Sequence, residues 1–204
     1  DLYIPFVNVN FEIHPIVYIF FAMFVMVGTV NAVNLTDGID GLCATVTLPV
    51  MVFFAVVAWC TGMQDLALLP ACLIGALIAY LFYNWHPAKV FMGDTGSLML
   101  GGIIGVTAVL IRKELLIPIL CGVFFTESLS VIMQRVYFKY TKRKYGEGRR
   151  IFKMTPIHHH FQKEGIPSLI QKPAHAIPEA KLVTRFWIIG MILAVITIAL
   201  LKVR

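Results

Sequence analysis

Carboxylates and amides recur at steps of three where the first long apolar run of the chain ends. The stretch "NAVNLTDGIDGL", residues 31–42, places Asn31, Asn34, Asp37 and Asp40 at that spacing. Positions three apart lie on one face of a helix, so these side chains form a polar stripe. Carboxylates at a helix C-terminus oppose the macrodipole, so a metal or basic residues of another loop should compensate them. The alternative is an ordinary helix end with Asn and Asp as turn formers.

A second polar stretch, "NWHPAKVFMGDTGSL" at residues 84–98, joins the third and fourth apolar runs. Asp94 is a candidate ligand for a hard cation such as Mg²⁺, which takes one or two carboxylates together with phosphate oxygens. Phe91 at the loop tip is expected to stack on a base or to anchor the loop in the membrane interface. The alternative for Asp94 or Ser97 is an N-cap of the next helix.

Three consecutive histidines, His158, His159 and His160, follow the basic residues Arg149, Arg150 and Lys153. Contact with phosphate through histidine and arginine is favoured over a zinc site, because the stretch has no cysteine partner and its positive charge opposes a metal. Further upstream, Glu127 lies in the middle of the fifth apolar run. An ionisable group there usually faces the bundle interior. The sequence leaves open whether Glu127 pairs locally or lines a cavity.

The composition is that of an integral membrane protein. Of the 204 residues 59% are hydrophobic and 14% are charged, and the mean hydropathy is +0.82. Soluble domains are nearer a quarter charged. The net charge of +6 is therefore ascribed to membrane orientation, and no nucleic-acid partner is expected. Backbone polar groups in lipid must be satisfied within helices, so the predicted class is an all-α polytopic membrane protein.

Six apolar runs are long enough, or nearly so, to cross a bilayer, which takes about 20 residues. They are residues 15–34, 43–60, 66–85, 95–111, 114–138 and 183–201. We expect one transmembrane domain over residues 1–204. In the fourth run, the step from Gly101 to Gly105 favours close helix packing.

The distribution of positive charge orients these helices. Alternating connections place only Arg112, Lys113, Lys202 and Arg204 on one side, and the other 13 of the 17 basic residues on the opposite side. That second side is predicted to be cytoplasmic. It carries the loops at about 35–42, 86–94 and 139–182, so all three polar motifs are expected to meet at one membrane face.

Together the three motifs resemble the phospho-N-acetylmuramoyl-pentapeptide transferase family. This family is a branch of the polyprenyl-phosphate N-acetylhexosamine-1-phosphate transferases, and the histidine triplet is typical of the branch. The resemblance implies Mg²⁺-dependent transfer from UDP-MurNAc-pentapeptide to undecaprenyl phosphate, forming lipid I and UMP in peptidoglycan synthesis. It also implies a multi-pass homodimer in the bacterial inner (plasma) membrane, inhibited by nucleoside antibiotics, with its active site facing the cytoplasm.

The resemblance also implies a role for individual residues. Asp94 and Asn34 would bind the metal, and Asp37 would position metal or phosphate. The catalytic residues would be Asp94, Asp37, His158, His159 and His160. The uridine and donor pocket would comprise Asn31, Asn34, Gly38, Ile39, Asp40, Asn84, Phe91 and Gln134, with Phe91 stacking on uracil.

The sequence departs from this family in two ways. Members have ten spanning helices and an adjacent pair of aspartates, whereas this sequence shows six runs and no such pair. We therefore expect the C-terminal portion of the enzyme, inactive alone. In addition, "SLIQKPAHAIP" at residues 168–178 looks longer than the family pattern, and we expect it to form a cytoplasmic surface excursion.

Three other functions share some of these sequence features. A GlcNAc-1-phosphate transferase shares the aspartate motifs, but the histidine triplet argues against it. A transporter using Glu127 is disfavoured because the polar residues cluster at one membrane face and not along a midplane path. A membrane scaffold would tolerate replacement of Asp37 and Asp94 without loss of function.

Overall fold

A computed structural model of the protein describes residues 2–4 and 9–202 and is a bundle of α-helices. A short antiparallel hairpin, β1 (Leu2–Ile4) and β2 (Val9–Phe11), precedes the bundle. The long helices are α1 (Pro15–Thr36), α2 (Leu42–Cys60), α3 (Gln64–Asn84), α4 (Gly93–Leu110), α6 (Gly122–Tyr145) and α8 (Glu179–Lys202). The short helices are α5 (Ile117–Leu120) and α7 (Ile157–Gln162).

The all-α membrane class predicted from composition is confirmed. Five helices are long and apolar enough to cross a bilayer, namely α1, α2, α3, α4 and α8. A sixth span results if the bent pair that joins residues 114–120 to α6 is taken as one crossing. The starts and ends of the predicted runs agree with the helices to within a few residues, except in the fifth run.

Helix α2 occupies the centre of the bundle. Of its most apolar 18-residue stretch, 72% is buried, compared with 17% for the corresponding stretches of α1 and α3. It packs against α3 on one side and α8 on another. Phe53 and Phe54 on α2 are fully buried, with ring centroids 5.6 Å apart in an edge-to-face arrangement. Because it is enclosed, α2 provides a fixed frame for the loops at its N-terminal end.

Helices α1 and α4 form a second tightly packed pair. A Cβ atom at Gly101 would lie 2.6 Å from Val30 Cα, and one at Gly105 would lie 3.2 Å from Met26 Cα. The two glycines are four residues apart and therefore share one face of α4. The close packing expected from this spacing is confirmed, and it fixes the end of α1 beside the start of α4.

The fifth predicted run is bent and is not one continuous helix. A 3₁₀ turn at Glu114–Leu116 and the short helix α5 are separated from α6 by a bend of 80° at Cys121. Helix α6 then continues to Tyr145, seven residues beyond the predicted end. Its last turn carries Lys142, Arg143 and Lys144, which favour a helix C-terminus through the macrodipole.

Candidate functional site

The site lies where the C-terminal ends of α1 and α3 meet the N-terminal ends of α2, α4 and α8. Asn34, in the last turn of α1, donates from Nδ2 to Asp94 Oδ1 at 2.9 Å and to Ser97 Oγ at 3.0 Å. Residues 60 positions apart are thereby joined by one amide. Helix α4 begins at Gly93 with Met92 at the N-cap position, so the alternative that Asp94 or Ser97 is the N-cap is wrong.

Two carboxylates lie close together at this end of α1. Asp37 follows the last residue of the helix, and its backbone N–H bonds to Asn34 O at 3.1 Å. Burial raises the pKa of Asp37 above its usual value, and the nearby negative charge of Asp94 raises it further. A cation bound between Asp37 and Asp94 would offset the cost of burying the Asp37 charge and the repulsion between the two carboxylates. Oxygen ligands of this kind fit Mg²⁺, so the residues present suit the predicted metal.

Asn84 holds the first two motifs together from inside the protein. It is 6% exposed. Its Oδ1 accepts from Gly41 N at 3.0 Å, and its Nδ2 donates to Val90 O at 2.8 Å. Gly41 adopts φ +75°, which glycine reaches without strain. Both ends of the Asn84 amide therefore hold loops in place, which is a different use from the predicted contact with a nucleotide.

A second polar cluster joins Asp40 to the next motif and to the last helix. Asp40 Oδ2 accepts from Ala88 N at 2.9 Å and lies 3.1 Å from His86 Nδ1. The backbone N–H of Asp40 donates to Glu179 Oε1 at 2.7 Å. The ligand atoms of Asp40, His86 and Glu179 all lie within 4.8 Å of one another. Glu179, which the sequence did not single out, thus anchors the start of α8 to the site.

The histidine triplet reaches the first motif through His158. This residue is fully buried. Its Nδ1 lies 3.0 Å from Glu127 Oε2, which also accepts from the His158 backbone N–H at 3.3 Å. The other ring nitrogen faces Gly38, where an added Cβ would lie 2.4 Å from Nε2. Nε2 is buried and has no hydrogen-bond partner among the described residues.

Glu127 therefore pairs locally, which answers the question that the sequence left open. The predicted mid-span position of Glu127 requires the fifth run to be one straight helix. The bend at Cys121 instead puts Glu127 in the second turn of α6, where it contacts α7. A buried carboxylate needs such a partner to offset its loss of hydration.

His159 and His160 differ in their surroundings. His160 Nδ1 accepts from Lys153 N at 3.1 Å, and Nε2 lies 2.9 Å from Lys172 O. Since a carbonyl only accepts, Nε2 carries the proton and the ring is neutral. Burial lowers the pKa of both histidines. His160 is 2% exposed with both nitrogens occupied, whereas His159 is partly exposed beside His158, with ring centroids 4.2 Å apart.

A stripe of polar side chains on α6 holds the loop that leads to the histidines. Glu127, Gln134 and Thr141 are seven residues apart and share one helix face. Thr141 Oγ1 accepts from Arg149 N at 2.8 Å, and Gln134 Oε1 accepts from the N–H groups of residues 151 and 152, each at 3.0 Å. With Glu127 accepting from His158 N, the loop is attached to α6 at three successive levels. Gln134 is thus used here to position the loop.

The remaining predicted residues lie at the edge of the site. Phe91 is 74% exposed at the tip of the loop between α3 and α4. Ile39 is partly buried and packs against the core. Asn31 donates back to Val27 O of its own helix at 2.8 Å and is exposed. Among the described residues, the side chain of Asn31 thus bonds to its own helix and to no other site residue, whereas the exposed Phe91 ring is accessible for stacking.

Sequence comparison identifies relatives of the chain. Residues 1–112 match the model of glycosyl transferase family 4. The chain is 52% identical to the phospho-N-acetylmuramoyl-pentapeptide-transferase of Parabacteroides distasonis, over 93% of this chain and 49% of that protein. It is 50% identical to the protein of the same name from Porphyromonas gingivalis, over 93% of this chain and 49% of that protein. The identity to the protein of the same name from Chloroherpeton thalassium is 44%, over 98% of this chain and 56% of that protein.

These matches define the class of the protein. The chain belongs to glycosyl transferase family 4, because the family model matches more than half of its length. Its fold is a helical membrane bundle whose polar loops converge at one end. The chain spans about half the length of the curated relatives it matches. The predicted resemblance to the phospho-N-acetylmuramoyl-pentapeptide transferase branch is confirmed by these similarities.

Proposed function

We propose that the whole protein transfers phospho-MurNAc-pentapeptide from UDP-MurNAc-pentapeptide to undecaprenyl phosphate, forming lipid I and releasing UMP. The observation that carries this proposal is the meeting of three motifs at one end of the bundle. Asn34 contacts Asp94, Gly38 contacts His158, and Asp40 contacts the loop at 86–88. The names of relatives about 50% identical supply the substrate class.

Mg²⁺ is the proposed cofactor, and Asp94 and Asp37 would hold it together with Asn34. When bound, the cation would neutralise negative charge that develops on the diphosphate during transfer. Asn34 orients the Asp94 carboxylate by its hydrogen bond. The Glu127 carboxylate orients His158, so that Nε2 of its ring is directed toward Gly38 in the first motif.

The donor nucleotide would bind between the first two motifs. Phe91 would stack on the uracil ring, since it is exposed at a loop whose base Asn84 and Asp40 fix in place. The positive charges of the loops at 86–94 and 139–182 favour a cytoplasmic location for this face of the bacterial inner membrane. A homodimer is expected from the family resemblance.

Donor specificity tests the proposal. The full-length protein in detergent, with undecaprenyl phosphate and Mg²⁺, should release UMP from UDP-MurNAc-pentapeptide and not from UDP-GlcNAc. Release of UMP from UDP-GlcNAc alone would assign the protein to the GlcNAc-1-phosphate transferases. No release from either donor would refute a sugar-phosphate transferase.

A further inference from the structure

Two neighbouring cavities lined by cations lie beside the histidine loop, outside the site described above. The first, of about 430 Å³, lies between α6 and the loop that returns along it. It is lined by Gln134, Arg135, Phe138, Lys139, Arg150, Lys153, Met154 and Thr155. The second, of about 540 Å³, lies between Gly148–Arg150 and residues 166–169. Arg150 lines both cavities, so they are neighbours, and together we call them the cationic groove.

The positive charge of this groove has no carboxylate partner among residues 2–4 and 9–202. Arg135, Lys139, Arg150 and Lys153 line the first cavity, and Arg149 adds to the second. Neither set of lining residues includes an aspartate or glutamate. Among the described residues, these five cations form no ion pair with a carboxylate. A cleft lined by charges of one sign concentrates its field on ligands of the opposite sign.

The walls of the groove are held in place by hydrogen bonds. Arg150 Nη1 donates to Lys153 O at 3.3 Å. Lys153 is 3% exposed, and its Nζ donates to the carbonyl of Pro173. Residues 169 and 170 donate from their backbone N–H groups to Arg150 O and Ile151 O, each at 2.9 Å. The segment 168–178, expected to be a surface excursion, is therefore packed against the loop and forms one wall of the groove.

The groove is linked to the histidine triplet by a hydrogen bond. Lys153 donates its backbone N–H to His160 Nδ1 at 3.1 Å, and Gln134 lines the groove while it holds residues 151 and 152. By contrast, the exposed apolar residues Ile132 and Val136, on the lipid-facing part of α6, line neither cavity. The charged surface thus adjoins the donor side of the protein and not its lipid-facing side.

We propose that this groove binds the carboxylate groups of the donor's peptide. A peptide ends in a carboxylate, and arginine binds carboxylates through paired hydrogen bonds. The cavities have volumes typical of ligand pockets. Anchoring the peptide at Arg150 and Lys139 positions the sugar phosphate at His158 and Asp94 without direct contact with the reacting atoms. This inference rests on the proposed function.

The test compares two donors with the full-length protein in detergent, namely UDP-MurNAc-pentapeptide and UDP-MurNAc without its peptide. In Lys139→Gln and Arg150→Gln, KM for the pentapeptide donor should rise about tenfold, which is about 1.4 kcal/mol. KM for the peptide-free donor should stay unchanged. Lys142→Gln, on the same helix but outside both cavities, is the matched control and should alter neither value.

Each other result decides against the groove. Equal changes with both donors would show a general electrostatic effect, and no change in KM would show that the groove does not bind the peptide. A difference between wild type and Lys139→Gln that appears only in vesicles containing anionic lipid would assign the groove to lipid headgroups. If wild type releases UMP from neither muramyl donor, the proposed function itself fails, whereas normal turnover with unaffected variants refutes only this inference.

Discussion

Gly38→Ala perturbs the contact between the first motif and the histidine triplet. Gly38 does not have a positive φ, so alanine fits its backbone without strain. The added Cβ, however, would lie 2.4 Å from His158 Nε2 and 2.8 Å from Cε1. An ordinary contact begins at 3.4 Å, so the ring would have to withdraw by about 1 Å.

The surroundings of His158 leave little room for that movement. The residue is fully buried, and its other ring nitrogen is held by Glu127 at 3.0 Å. Overpacking a rigid site costs about 1–3 kcal/mol, and loss of a hydrogen bond to a charged group costs about 1.5–3 kcal/mol. The two costs are alternatives, because a ring that withdraws relieves the overpacking but loses the hydrogen bond. We therefore take about 2 kcal/mol, within both ranges, which lowers kcat/KM about 30-fold if it acts on the transition state.

The assay is UMP release by the full-length protein from the muramyl donor, with the midpoint of thermal unfolding measured in parallel. Gly102→Ala is the matched control, because a Cβ there meets nothing within 4 Å; it should retain normal activity. In a His158→Ala background, Gly38→Ala should cost no further stability. Wild-type kcat/KM in Gly38→Ala would refute the packing argument.

Three further predictions follow from other contacts. Gly101→Ala should lower the unfolding midpoint through an α1–α4 clash of about 1–3 kcal/mol, since its Cβ would lie 2.6 Å from Val30 Cα; an unchanged midpoint would refute the close contact. Glu179→Ala should raise KM for the donor severalfold by releasing the Asp40 N–H, and an unaltered KM would exclude Glu179 from site positioning. Burial lowers the pKa of His159 and His160 below 6.5, so the unfolded chain binds more protons and stability should fall as pH drops below about 6.5. A midpoint that stays constant down to about pH 5 would contradict this.

Much of the fold follows from hydropathy alone, because lipid allows few backbone arrangements. Hydropathy predicts the fifth run but not its 80° bend at Cys121, because a bend leaves the composition of the run unchanged. That bend decides which residues Glu127 meets. The packing of α1 on α4 was predictable because Gly101 and Gly105 carry a local spacing signal.

The composition of the site could be predicted better than the use of each residue. Asn34 and Asp94 were expected to act together, and they are in contact. Asn84 and Gln134 were expected to contact the nucleotide, yet their amides hold backbone groups of distant loops. A sequence shows that an amide is present but not which partner satisfies it. The seven-residue spacing of Glu127, Gln134 and Thr141 was the one available signal, and it becomes meaningful only once the loop is seen to return along α6.

Divalent-cation binding tests the central claim most directly. Mn²⁺ accepts the same oxygen ligands as Mg²⁺, and its binding to the full-length protein can be followed by electron paramagnetic resonance. Wild type should bind Mn²⁺, and Asp94→Asn should weaken that binding at least tenfold. Asp65→Asn, an exposed carboxylate at the opposite end of α3, should bind as wild type does. Equal affinity in wild type and Asp94→Asn would contradict a metal site at the meeting point of α1 and α4.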